Sequence, residues 1–217
     1  MQESSLRSLA IIVLVPFTAL TTMAIYSDGI NGFPNAITYN FLSFQIWLDL
    51  VIAMLFWCAW VILDARAHGR SPWGWVVAAL LFGAFSPLIY ILVHKRWPAT
   101  PARDSAATDD VTSRRTFAAI AFTALLVVTL AGLAIDGTDI MSTITHSWSN
   151  IQIWVDLVIV ILLWAAWMFA DAKTHDINPW GWLVFAAALG SFSPLLYLLV
   201  HGRWPASHPT ADQPVST

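Results

Sequence analysis

The sequence is poor in charged residues and in cysteine. Charged residues make up 11% of its 217 residues, 58% are hydrophobic, and the mean hydropathy is +0.68. Because soluble globular domains carry about 25% charged residues, this composition excludes that class. The single cysteine, Cys58, excludes a disulfide framework and a thiolate metal cluster. The chain also lacks a basic tract that would bind nucleic acid.

Six mostly apolar stretches are each long enough to cross the hydrocarbon layer of a bilayer as a helix. Four of them contain no Asp, Glu, Lys or Arg: 8–27, 71–94, 116–135 and 178–202. The other two contain a single Asp each: 45–63 and 152–170. We therefore expect an all-α integral membrane protein of six hydrophobic helices, with the lipid bilayer as its surroundings.

The chain contains one long stretch twice. Residues 43–99 and 150–206 align without a gap at an offset of 107, and 33 of 57 positions are identical. Most Trp, Asp, His, Pro and Gly residues are shared, whereas the differences are mainly aliphatic exchanges, which indicates structural or functional constraint. We expect four units: a first three-helix repeat, a polar linker, a second three-helix repeat and a disordered tail, over 1–97, 98–113, 114–204 and 205–217.

The third apolar stretch of each repeat allows two topologies. We expect it to span as one helix, because the path from Trp73 to Trp97 measures about 36 Å as a helix, with tryptophan at both ends. Six spans would divide the ten Lys and Arg residues four to six between the two faces. In the alternative, the stretch enters the membrane and returns on the same side, which puts all ten on one face. Orientation stays open.

Local signals mark breaks and helix starts. Pro87 and Pro194 are expected to kink the third helix, with glycine four residues earlier relieving the clash of the proline ring. Ser43 and Asn150 are expected to cap the second helix of each repeat.

Two acids inside the spans are the sharpest candidates for a site. Asp49 and Asp156 each follow a glutamine by one helical turn (Gln45 and Gln152). A carboxylate within a span is usually paired, protonated or in contact with water, so one interpretation is a proton- or cation-coupled site. In the other, equally weighted, the acids bond to the backbone or to indole N–H groups. Further candidate lining residues are the helix-break serines and one tryptophan of each repeat: Ser86, Ser193, Trp57 and Trp164.

The pairs Asp64/His68 and Asp171/His175 have i, i+4 spacing, which is compatible with two metal ligands on one helix face. We favour a solvated helix end, where histidine suits the negative end of the helix dipole. We therefore predict no metal site, assign no catalytic residue, and leave any cofactor unknown.

The succession of motifs resembles a known family. Gln45-x-x-x-Asp-Leu-Val-Ile, Asp64-Ala-Arg-x-His-Gly, Pro72-Trp-Gly-Trp and Gly83-x-x-Ser-Pro-Leu-x-Tyr resemble those of bacterial membrane proteins of about one hundred residues, with three predicted spans and no known function. The chain resembles two such units fused. The resemblance implies a fold and a prokaryotic inner membrane, but no activity.

Three functions from different classes follow from these patterns. The first is a small-solute or ion transporter or channel with a site at the repeat interface, supported by the repeat, the buried acids and the helix breaks. The second is a membrane enzyme acting on a lipid or isoprenoid, with the two acids as general acid and base. The third is a non-catalytic assembly or scaffold subunit, and a homo-oligomer is compatible with all three.

Overall fold

The computed structural model describes residues 3–94 and 108–202, and within these ranges the chain forms ten helices and no strand. They are α1 (Glu3–Asp28), α2 (Gly32–Ile37), α3 (Phe41–Ala67), α4 (Trp73–Phe82), α5 (Phe85–His94), α6 (Thr108–Asp136), α7 (Ile140–Ile144), α8 (Trp148–Thr174), α9 (Pro179–Leu189) and α10 (Phe192–His201). The predicted all-α class is confirmed for the described part of the chain.

Four of these helices, α1, α3, α6 and α8, are long and apolar enough to cross a membrane. They match the first two spans predicted for each repeat, with apolar segments Ser8–Asp28, Phe41–Arg66, Arg115–Asp136 and Trp148–Thr174. By length and composition, the chain is an integral membrane protein.

The starts of α3 and α8 differ from the prediction. Asn40 caps α3, and its side chain accepts a hydrogen bond from the backbone N–H of Ser43. Ser147 caps α8 in the same way and accepts from the N–H of Asn150. The expected caps, Ser43 and Asn150, therefore lie one turn inside their helices. Their N–H groups donate to the side chains of the residues that do cap.

The third apolar stretch of each repeat is a helical hairpin, which corrects the prediction of a single span. Ser86 Oγ donates to the carbonyl oxygen of Trp75 at 3.0 Å, and the rings of Trp75 and His94 lie 5.4 Å apart. A continuous helix would separate Trp75 from His94 by about 28 Å. In α9 and α10, Ser193 donates to the carbonyl of Trp182 at 2.9 Å in the same way. The two ends of each hairpin therefore lie on the same side of the molecule.

The chain reverses at glycine, and the predicted break at proline is wrong. Gly83 has φ 54° and ψ −132°, and Gly190 has φ 56° and ψ −131°. These angles are typical of the first central residue of a type II′ turn, which favours glycine. Pro87 lies in the first turn of α5, where the backbone N–H groups have no partner within the helix, so proline costs no hydrogen bond there. Pro194 occupies the same place in α10.

The long helices α3 and α8 pack side by side and run in the same direction. Near the starts of these helices the equivalent residues Ser43 and Asn150 touch, with Asn150 Nδ2 3.2 Å from Ser43 Oγ. Further along both helices, Trp164 Nε1 donates to the carbonyl oxygen of Ala53 at 3.2 Å. Both contacts join matching levels of the two helices.

Because α3 and α8 run in the same direction, the molecule has two different faces. We call the side on which α3 and α8 end, and on which both hairpins open, the base face; the side with α2 and α7 is the loop face. Among the described cationic residues, Arg66, Arg70, Arg115 and Lys173 lie at the base face, at or beside helix ends there. The loop-face segments 29–40 and 137–147 contain no Lys or Arg.

Part of the predicted linker is helical. α6 begins at Thr108 and so includes 108–113, while 98–107 and the predicted tail lie outside the described residues.

Candidate functional site

The tip of each hairpin is held by a carboxylate from the other repeat. Asp156 on α8 reaches the tip of the α4–α5 hairpin, where its Oδ1 accepts a hydrogen bond from the backbone N–H of Ala84 at 2.6 Å. Asp49 on α3 reaches the tip of the α9–α10 hairpin and accepts from the N–H of Ser191 at 3.0 Å. Ser191 Oγ also donates to the carbonyl oxygen of Asp49 at 3.1 Å. Each repeat thus fastens the hairpin of the other.

Glycine is required at both tips for steric as well as conformational reasons. A Cβ atom on Gly83 would overlap the carboxylate of Asp156, and one on Gly190 would overlap that of Asp49. The absent side chain lets the acid approach the N–H group of the next residue. We call Gly83, Ala84 and Asp156 the first tip site, and Gly190, Ser191 and Asp49 the second.

Both carboxylates are buried within spanning helices. Asp49 is 4% exposed and Asp156 is 8% exposed. A carboxylate at the centre of a span costs roughly 2.5–3.5 kcal/mol on insertion scales. The N–H groups and the positive dipole end at the start of α5 and α10 offset part of that cost. The bonds that these acids accept from the N–H groups of Ala84 and Ser191 are of the backbone kind that the second interpretation expects.

A second pair of carboxylates fastens each hairpin at the base face. The hydroxyl of Tyr90 on α5 donates to Asp64 on α3, and that of Tyr197 on α10 donates to Asp171 on α8 at 2.5 Å. Both acids are buried. Each hairpin is therefore bonded to its own repeat at the base and to the other repeat at the tip. Both copies carry the Leu-x-Tyr motif, but nothing in the sequence pattern indicates this role for the tyrosines.

The histidines beside these acids bond to the backbone. His68 Nδ1 lies 2.7 Å from the carbonyl oxygen of Asp64, and His175 Nδ1 lies 2.9 Å from that of Asp171. The histidines thus lie at helix ends as predicted, but the acids beside them are buried and not solvated. Within 3–94 and 108–202, no three His, Cys, Asp or Glu side chains are grouped so as to hold a metal ion.

The other predicted site residues do not gather around the tip acids as one lining. Ser86 and Ser193 tie together the two arms of their own hairpins. Trp164 donates to the backbone of α3. The ring of Trp57 lies 6.0 Å from the ring of Tyr90, the residue that bonds to Asp64 at the base face.

The glutamines differ between the repeats. Gln152 is buried, and its Oε1 has no hydrogen-bond partner in the part of the chain that the structure describes. Gln45 is only half-buried. A buried acceptor without a donor one turn from Asp156 is a place where a small polar or cationic group would gain a bond.

The tip sites combine two acids, two glycines and the starts of two helices. They are therefore the strongest candidate for a functional site in the described part of the chain. The resemblance to three-span bacterial units stays a prediction. No family model matches this chain, and the searches of curated proteins and of solved structures found no match either.

Proposed function

We propose that the protein carries a small cation, or a small solute coupled to a cation, across the membrane, with the two tip sites as its working parts. One observation supports this above the others: each hairpin ends within the membrane on a carboxylate supplied by the opposite repeat. Helix ends at membrane depth form the ion sites of many transporters. Irregular backbone at that depth requires burial in protein or a water-filled cavity.

The chemistry of the tip bond suggests how binding would be coupled to movement. The carboxylate of Asp156 holds the tip because its negative charge strengthens the bond from the N–H of Ala84. A proton or cation that binds this carboxylate neutralises the charge and weakens the bond. The freed hairpin then moves relative to the other repeat, since the bond joins one repeat to the other. Asp49 and Ser191 perform the same step in the second tip site.

We assign the base face to the cytoplasm and the protein to a prokaryotic inner membrane. The distribution of the described Lys and Arg residues supports the orientation, because cytoplasmic loops carry the excess of positive charge. The assignment to a prokaryotic membrane depends on the family resemblance.

Ion flux into proteoliposomes tests the proposal. With a potassium diffusion potential as driving force, we expect vesicles that contain the protein to take up protons or sodium ions faster than protein-free vesicles. The double variant Asp49→Asn, Asp156→Asn should lower uptake to the protein-free rate. An amide does not take up a proton at neutral pH, and it has no negative charge to attract a cation. Uptake is followed with an entrapped pH dye and with radioactive sodium.

The loop face provides a matched control. Asp28 and Asp136 accept hydrogen bonds from the backbone N–H groups of Ser149 and Leu42, again between repeats, but at the helix ends of the loop face. The double variant Asp28→Asn, Asp136→Asn should keep the flux of the unchanged protein. Equal flux in vesicles with and without the unchanged protein would refute the proposal.

A non-catalytic assembly subunit is the second candidate, favoured by the fact that the hydrogen bonds described for both tip acids are to the opposite repeat's hairpin. A carboxylate that only fastens a hairpin needs no solute. This candidate predicts no flux above the protein-free rate and unchanged folding of the Asn variants.

A further inference from the structure

Gln152 lies one helical turn before Asp156 on the same face of α8. Residues at this spacing have Cβ atoms about 5–6 Å apart. Side chains of a helix lean toward its start, so the carboxyl group of Asp156 lies over the turn that holds Gln152. Gln152 is 4% exposed, and its Oε1 has no hydrogen-bond partner among the described residues. A buried acceptor without a donor is costly, so this atom marks the place of a missing donor.

Asp156 can supply that donor only when it carries a proton. Its Oδ1 accepts from the N–H of Ala84, while its Oδ2 lies against Gly83 and has no hydrogen-bond partner in the described chain. A carboxylate only accepts, but a protonated carboxyl group has one O–H to donate. With the proton on Oδ2, Ala84 keeps its acceptor and Gln152 gains a donor.

The tip suits a proton better than a metal cation. A metal cation such as potassium exchanges its hydration shell for several oxygen ligands. The first tip site instead presents the N–H of Ala84 and the positive dipole end of α5 to the carboxylate. Only the oxygens of Asp156 and Gln152 remain as ligands there, and one proton needs no more.

Ser149 is the other polar side chain on this face, one turn nearer the loop face. Its Oγ is fully buried and has no hydrogen-bond partner within residues 3–94 and 108–202. Its hydroxyl is therefore the rival donor for Gln152, but the structure shows no bond between the two side chains. The acceptor of Gln152 is unused from both directions.

The elements packed against α8 bring few charged groups to this place. In α1, the stretch 8–27 contains no Asp, Glu, Lys or Arg, and Asp28 at its end bonds to the N–H of Ser149, about 10 Å along α8 from Asp156. Asp49 on α3 is bonded at the second tip site. Further titratable groups of the packed elements lie toward the base face, among them Asp64 and His94 with their equivalents Asp171 and His201.

The second tip site lacks the unused acceptor. Gln45, the equivalent of Gln152, is only half-buried. Ser191, the equivalent of Ala84, adds a bond from its hydroxyl to the backbone carbonyl of Asp49. The two tip sites are therefore unequal, and only the first combines a buried acid with a buried acceptor that needs a donor.

We propose that the first tip site takes up a proton, which Asp156 holds in a hydrogen bond to Oε1 of Gln152. The carboxylate takes the proton from water and becomes neutral, and the new O–H donates within α8. The bond from the N–H of Ala84 weakens, because its acceptor has lost its charge. Protonation thus exchanges a bond between the repeats for one within α8, and release of the proton to water reverses the exchange. The identity of the carried ion rests on the proposed function, whereas the bond is testable without transport.

Infrared difference spectra of the purified protein in lipid bilayers, between mildly alkaline and mildly acidic buffer, test the bond. We expect a C=O band of a protonated carboxyl group that is missing in Asp156→Asn. Gln152→Met keeps the length of the side chain but removes the acceptor, so the band should move to higher wavenumber. The matched variant Gln45→Met and the rival-donor variant Ser149→Ala should leave the band in place.

A second measurement needs no altered Gln152. With ¹³C in the side-chain amides of glutamine, one amide band should move to lower wavenumber on acidification, because Oε1 gains a bond. It should stay in place in Asp156→Asn. An Asp156 band at the same wavenumber in Gln152→Met, or no amide shift in the unchanged protein, would overturn the bond. Sodium flux without any Asp156 band would overturn the proton site alone, whereas the expected bands in a protein without ion flux would refute transport alone.

Discussion

Alanine in place of Gly83 or Gly190 is expected to destabilise the protein by about 3 kcal/mol or more. The positive φ at each tip costs a residue with a Cβ atom about 1–3 kcal/mol. The added Cβ must also displace the carboxylate of Asp156 or Asp49, with which it overlaps. Unfolding of the purified protein in mild detergent, by heat and by denaturant, measures the change.

Two other glycines provide the control. Gly74 and Gly181 lie in α4 and α9, and a Cβ on either would meet no atom within 4 Å. Alanine there should be neutral or stabilise by about 0.5–1 kcal/mol, because alanine suits a helix interior better than glycine. Equal stability of Gly83→Ala and Gly74→Ala would contradict the described tip.

Replacing either tip acid by alanine should have the next largest effect, roughly 1–3 kcal/mol of lost stability. Without Asp156 the buried N–H of Ala84 has no acceptor, and the penalty for a buried unpaired donor is of that size. Asparagine should cost less, since its amide oxygen can accept the same bond. Asp49→Ala should likewise cost more stability than Asp49→Asn, because it leaves the N–H of Ser191 without its acceptor. The same unfolding measurements test the order.

The Asn variants also separate folding from transport. Under the proposed function they stay folded, with a weaker tip bond than the carboxylate makes, yet lose ion flux. If neither alanine nor asparagine at Asp49 and Asp156 changed the free energy of unfolding, the tip bonds would not hold the hairpins.

The long apolar helices were predictable from the sequence. The hairpins were the less favoured of two topologies that the sequence allowed. Long charge-free runs define α1, α3, α6 and α8 directly. The stretch from Trp73 to His94 has the length and apolarity of a span, so composition cannot distinguish one helix from two antiparallel arms. Two signals favoured the hairpin: the ten-to-zero division of Lys and Arg, and Gly83 at the midpoint. The sequence predicts that this glycine relieves the clash with Pro87, whereas in the structure it makes the turn.

The partners of the acids could not be predicted from one sequence. Because both repeats carry the same Asp and Gly residues, a bond within a repeat and a bond between repeats look identical in the sequence. The structure pairs Asp49 with the tip at Ser191 and Asp156 with the tip at Ala84. The bond from Tyr90 to Asp64 joins residues 26 positions apart on different helices, and helical periodicity carries no information about such a pair.

The sidedness of three positions tests the central claim, that the hairpins are re-entrant and the repeats parallel. Single cysteines are introduced as Ser71→Cys, Ser113→Cys and Asn35→Cys in a Cys58→Ala background and labelled with a membrane-impermeant maleimide from each side. Ser71 and Ser113 flank the α4–α5 hairpin in the chain, and Asn35 lies on α2 at the loop face. The structure predicts that Ser71→Cys and Ser113→Cys react from one side and Asn35→Cys from the other. Reaction of Ser71→Cys and Ser113→Cys from opposite sides would mean that the third stretch spans the membrane, and would contradict this account.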